Sequence, residues 1–125
     1  MIGDHLRLVL PADPGYGRIA RITASNLALR LGFDHRAVED LRIAVDELII
    51  LLLRPEGAPG TITVDFVVTT DGLTIDASTT AGERPNLTDR AALDRFRAIV
   101  APTVDVVSLD DDGVHAHIEK HAASA

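Results

Sequence analysis

The sequence predicts an α+β fold: a two-layer sandwich with three helices on one face of a mostly antiparallel sheet, in the order β-α-α-β-β-α-β-β. Three observations predict it. Strand-like segments alternate apolar and polar residues, so each has one buried and one solvated face. Two long segments after the first strand repeat apolar residues at helical spacing. Turn signals at Asp71-Gly72 and Asp110-Asp111-Asp112-Gly113 join the later strands in pairs. With 125 residues, the chain reads as one domain over 1–125, large enough for a core without staples.

The elements follow in order. His5 to Leu10 alternates, with Leu6, Leu8 and Leu10 on one face of a strand. Pro11-Ala12-Asp13-Pro14 starts a helix. Asp13 can cap it, and Pro14 takes the first helical position, where its missing N–H costs nothing. Tyr16, Ile19, Ala20, Thr23, Leu27 and Leu31 form the expected buried stripe. Gly32 ends that helix with a left-handed residue. Asp34 can cap the next, flanked by Phe33 and Val38 at the spacing of a hydrophobic staple. This second helix runs to about Arg54, burying Val38, Leu41, Ala44, Val45, Leu48 and Leu52. After the break Pro55–Gly60, Ile62, Val64, Phe66 and Val68 alternate with polar residues. So do Leu73, Ile75 and Ala77 beyond the Asp71-Gly72 turn. Residues 80 to 87 read as a loop. Thr88 or Asp89 starts a third helix with the stripe Ala92, Leu93, Phe96, Ile99 and Val100, stopped by Pro102. A last hairpin joins Thr103–Leu109 to Val114–His121.

Composition narrows the function. The net charge is −7, which disfavours nucleic acid, because no broad basic stripe is available to displace counterions from phosphates. Three Phe, one Tyr and no Trp disfavour base stacking. No cysteine is present, which removes disulfides and thiolate metal sites and fits a cytoplasmic location. No targeting signal is expected at the N-terminus. The most apolar run, Leu48–Leu53, is far below the roughly 20 residues of a membrane span.

The run from Leu6 to Leu53, and most of all Leu41-Arg42-Ile43-Ala44-Val45-Asp46-Glu47, resembles the anti-sigma-factor serine-kinase branch of the GHKL (Bergerat-fold) ATPases. The order of elements matches that family along nearly the whole chain. The resemblance implies a protein that holds a sigma factor inactive and phosphorylates a serine on a small antagonist protein with ATP and magnesium. It also implies three boxes for that chemistry.

The first box is Glu-x-x-x-Asn on the second helix, whose spacing puts both side chains on one face. Glu47 is present, but Leu51 stands at the Asn position. Leucine offers no oxygen to magnesium, a hard cation with ligands near 2.1 Å. Without its partner, Glu47 reads as a solvated or salt-bridged carboxylate and a remnant of the catalytic position. In the second box, Thr79 stands where the family's Asp accepts a hydrogen bond from adenine. Ala81 stands at the first Gly, with Gly82 as a shifted remnant. The third box needs a glycine-rich turn whose N–H groups approach phosphates. Here Ala91-Ala92-Leu93-Asp94-Arg95 has no glycine, and Asp94 would repel a phosphate.

Six consecutive apolar residues from Leu48 to Leu53 cannot share one helix face. Leu51 is therefore expected to point into an apolar, partly collapsed pocket. The rival explanation is a helix face covered by a partner or second subunit. No cofactor is expected on this reading. ATP and magnesium return under the alternative of a working kinase.

Family members engage sigma factor and antagonist through the first helix, so Arg18 and Arg21 are the expected partner contacts, against the plainer reading of a solvated face. His115, His117, Glu119 and His121 alternate along the last strand and share a face. Such groups can bind zinc. The face reads as the solvated one and no further ligand is evident, so no metal is expected. The favoured reading is a regulator that binds a sigma factor or its antagonist, with a homodimer possible and neither nucleic acid nor membrane as partner. A serine kinase and a structural or metal-binding dimer are the alternatives.

Overall fold

The computed structural model describes residues 2–53, 59–80, 90–110 and 115–122. Among them lies one five-stranded sheet in the spatial order β1-β2-β3-β5-β4, every neighbouring pair antiparallel. The strands are β1 (His5–Pro11), β2 (Thr61–Val68), β3 (Gly72–Thr79), β4 (Val106–Leu109) and β5 (His115–His121). The helices are α1 (Gly17–Arg30), α2 (His35–Leu52) and α3 (Arg90–Val100). The expected two-layer α+β sandwich is present.

Alternation decides which sheet face the helices cover. Ile62, Val64, Phe66 and Val68 of β2 are buried, as are Leu73, Ile75 and Ala77 of β3 and Ala116 and Ile118 of β5. The intervening residues stay half-exposed, among them Asp65, Asp76 and His117. On the edge strand β1 the same face fades along its length. Leu10, opposite Ile62, is buried, Leu8 is half-buried, and Leu6 is exposed.

The turn between the helices is set by local chemistry. Gly32 takes φ +80°, and the N–H groups of Gly32 and Phe33 donate to the carbonyls of Leu29 and Ala28. This paired closure satisfies orphan carbonyls at a helix end. Two residues on, the Asp34 carboxylate accepts from the Ala37 N–H at 2.8 Å and caps α2, with Phe33 and Val38 both buried beside it. Asp34→Ala is expected to cost about 1 kcal/mol, as an N-cap loss does. Urea denaturation at neutral pH checks it, and a loss below a few tenths would mean water replaces the cap.

Several boundaries differ from expectation. Asp13 does cap, accepting from the Gly15 N–H at 2.8 Å, but the first turn is a 3-10 turn over Pro14–Tyr16 before α1 begins. The stripe of α1 differs in part: Ala20 and Leu27 are buried as expected and Leu31 is half-buried. Ala20, Ala24, Leu27 and Ala28 are buried, whereas Tyr16 and Ile19 are exposed and Thr23 is half-exposed. α1 packs on α2 through small residues: a Cβ on Gly17 would lie 3.1 Å from Ile49 Cγ2. Close helix approach leaves no room there for large side chains.

β4 starts at Val106, not Thr103, because Ala101–Thr103 forms a 3-10 turn in which the buried Thr103 hydroxyl donates to the Val100 carbonyl at 2.7 Å. The β2–β3 turn is centred one residue earlier than Asp71-Gly72. Thr69 and Gly72 face each other, N–H of Thr69 to carbonyl of Gly72. Gly72 is needed for another reason: a Cβ there would fall 2.2 Å from the Lys120 carbonyl oxygen on β5. α2 ends at Leu52 with Leu53 as its cap, close to the expected end, while the expected helix start at Thr88 or Asp89 and Val114 lie outside the described residues.

Candidate functional site

The residues singled out on α2 come together with α3. Glu47 and Leu51 share one face, as a four-residue spacing requires. They line a cleft of about 230 Å³ with Ile50, Ala92, Arg95 and Phe96.

The Glu47 side chain is 13% exposed, and Arg95 Nη1 donates to its Oε1 at 2.6 Å. A carboxylate drawn partly out of water needs a charged or hydrogen-bonded partner, and the guanidinium supplies one. Leu51 is 8% exposed and belongs to the core. Within the apolar run, Leu48, Ile49, Leu51, Leu52 and Leu53 are all buried, and Ile50 alone is exposed, at 46%. α2 can bury so many consecutive residues because it is covered on several sides: Ile49 meets α1 at Gly17, and Leu51 meets the cleft beneath α3.

Thr79 closes β3 on the buried face, and its hydroxyl lies 3.5 Å from the Thr61 carbonyl, a long contact. Ala81 and Gly82 lie outside the described residues. Ala91 and Asp94 are on exposed positions of α3.

The two arginines of α1 part ways. Arg21 turns toward α2, its Nη1 3.4 Å from Asp46 Oδ2, with a buried Nε that has no hydrogen-bond partner. Arg18 is exposed. Tyr16 just before α1, Ile19, Ile22 and Leu29 along it, and Ile43 and Ile50 of α2 are exposed as well.

The alternating histidines of β5 do lie on the open sheet face, but they pair with carboxylates. His117 contacts Asp76 and Glu119, His115 contacts Asp110 and Asp76, and His121 lies near Glu119. Among the described residues, no group of three or more His, Asp and Glu is arranged to hold a metal ion. On the neighbouring strands, the Arg7 guanidinium beside Asp65 holds that carboxyl below the ordinary range, with a smaller contribution from His5.

Sequence reasoning missed Arg95 as the partner of Glu47, Asp46 as the partner of Arg21, and Asp76 as the centre of the histidine face. Asp76 carried a usable signal: its place on the solvated face of β3, beside β5 if those strands pair. Arg95 carried none, being 48 residues from Glu47.

The two-layer α+β sandwich is consistent with the GHKL-type architecture, and sequence comparison is more specific. The chain is 37% identical over 78 residues to the serine-protein kinase RsbW of Listeria monocytogenes, covering 60% of this chain and 50% of that protein. It is 44% identical over 46 residues to RsbW of Oceanobacillus iheyensis, covering 37% of this chain and 29% of that one. With RsbW of Bacillus pumilus the figures are 35% over 77 residues, 58% and 48%. The chain thus aligns with about half the length of the first of these relatives. No family model matches it. Among the described residues, no helix is long and apolar enough to cross a membrane.

Proposed function

We propose that the chain is an anti-sigma-factor-like regulator that works by binding a sigma factor or its antagonist protein, with nucleotide binding weak or lost. Similarity to serine-protein kinases RsbW supports the regulatory setting. One observation carries the loss of nucleotide: Glu47 is bound by Arg95 at 2.6 Å above a buried Leu51. The carboxylate is therefore engaged by an internal cation. The residue one turn on has no oxygen for magnesium. Arg18 and the apolar residues around it on α1 are the first choice for the partner-binding face, with Arg21 set back against Asp46.

The second reading is an ATP-dependent serine kinase, favoured by the name of the relatives. Titration calorimetry with Mg-ATP and Mg-ADP separates the two. The expected result is no binding in the micromolar range, and micromolar affinity would decide for the kinase. Retention of purified sigma factors or sigma-antagonist domains on the immobilised chain tests the regulatory half, which fails if neither class is retained.

A further inference from the structure

His117 lies in the middle of β5 on the open face of the sheet. Its Nδ1 is 2.7 Å from Asp76 Oδ1 on β3, and its Nε2 is 2.8 Å from Glu119 Oε2 on β5. A neutral imidazole has one N–H and one bare nitrogen. Ionised carboxylates only accept hydrogen bonds, so a neutral ring satisfies one of these contacts and sets a lone pair against the other. The imidazolium donates to both. Placing the proton on a carboxylate instead is costly, since carboxyl groups ordinarily lose theirs about two pH units below histidine.

We propose that the open face of the sheet carries a proton-operated clamp, in which the His117 imidazolium ties Asp76 of β3 to Glu119 of β5 and lets go of one of the two when it loses its proton.

The groups around the clamp fit this role. On β5, His121 Nε2 lies 3.5 Å from the other oxygen of Glu119, and His115 lies 3.5 Å from Asp76 and 3.2 Å from Asp110. On β4, the residue opposite His117 is the uncharged Ser108. On β2, Asp65 stands directly opposite Asp76, a like-charge pair that is unfavourable across strands unless compensated. Asp65 is compensated from β1, by Arg7 at 2.8 Å and His5 at 2.7 Å. Among the described residues, the cations paired with Asp76 are histidines, with His117 the nearer. Loss of the His117 proton therefore leaves Asp76 and Glu119 short of positive charge.

The titration has a definite sign. Burial of the ring works against its charge, but the hydrogen bonds to Glu119 and Asp76 and their negative charges outweigh it and raise the pKa above the ordinary 6.5. Stabilisation from His117 is thus complete below about pH 6.5 and is lost as pH rises through the raised value. Glu119 is held below the ordinary range, first by its hydrogen bond from His117. Its contribution is present above its ordinary pKa and is lost as acid protonates it.

Long-range proton–nitrogen NMR of the imidazoles, on the whole chain between about pH 5 and about pH 9, tests the clamp directly. Both His117 nitrogens are expected to be protonated at about pH 6.5. A neutral tautomer there overturns the proposal. Urea denaturation gives the energetic counterpart. The wild-type midpoint is expected to fall as pH rises above about 6.5, and His117→Gln is expected to flatten that fall. An undiminished fall in the variant assigns the effect to other histidines and overturns the clamp. The NMR arm uses the unmodified chain, so poor folding of the variant leaves the test intact.

Discussion

Phe96→Ala is expected to cost about 4 kcal/mol of stability and to loosen α3 ahead of the sheet. Phe96 and Val100 are the buried residues of this eleven-residue helix. The Phe96 ring also forms one wall of the cleft against Leu51. Truncation removes the transfer free energy of the ring and leaves a cavity that the neighbouring helix cannot fill. The Arg95–Glu47 pair cannot offset it. Arg95 is 56% exposed, and pairs of that kind contribute roughly 0–1 kcal/mol. An isolated helix of this length is marginal in water, so α3 depends on its docking. Urea denaturation gives the magnitude. Amide exchange gives the order of events: early loss of protection in α3 is expected, and simultaneous loss in α3 and β3 would show that the two open as one unit.

Much of the fold was legible because its signals are local. Gly32, Phe33, Asp34 and Val38 form one short message, in which a left-handed residue stops a helix, a carboxylate starts another, and two apolar side chains fix the angle between them. Strand alternation was equally readable, since period two leaves no choice of face once one face is apolar. The misreadings share a cause. Helical spacing includes Ala20 and Leu27 in the α1 stripe but also Tyr16 and Ile19, which turn outward, because α1 meets α2 at a distance that admits Gly17, Ala20, Ala24 and Ala28. Hydrophobicity ranks residues for burial but does not report how near the neighbouring helix lies. Gly72 was expected to serve a turn. It serves instead the passage of the Lys120 carbonyl, a contact between strands separated by 48 residues of chain.

The candidate site was legible to the same degree. Helical spacing alone put Glu47 and Leu51 on one face, and both line the cleft. What fills the cleft opposite them was not legible, because Arg95 arrives from an element whose docking is decided by the tertiary fold. The histidines of β5 could be placed on the solvated face, but their partner Asp76 is set by the pairing of β3 with β5.

Leu51→Asn places an oxygen where the family resemblance asks for one, and it is expected to lower stability by about 3 kcal/mol without producing Mg-ATP binding. The loss has two parts. A buried leucine contributes roughly 1.5–3 kcal/mol through its apolar surface, and Leu51 is buried. The incoming amide must then find partners between Ile50 and Phe96, where the available polar groups, Glu47 and Arg95, are already joined at 2.6 Å. An amide left unsatisfied adds about 1–3 kcal/mol. On the proposed reading no binding is expected, because one oxygen does not move the guanidinium. A divalent cation beside Glu47 would have to displace Arg95 or bear its repulsion. Urea denaturation measures the first effect and titration calorimetry the second. Should the variant bind Mg-ATP at micromolar concentration, the missing oxygen was the whole defect, and Arg95 is a side chain that yields to nucleotide.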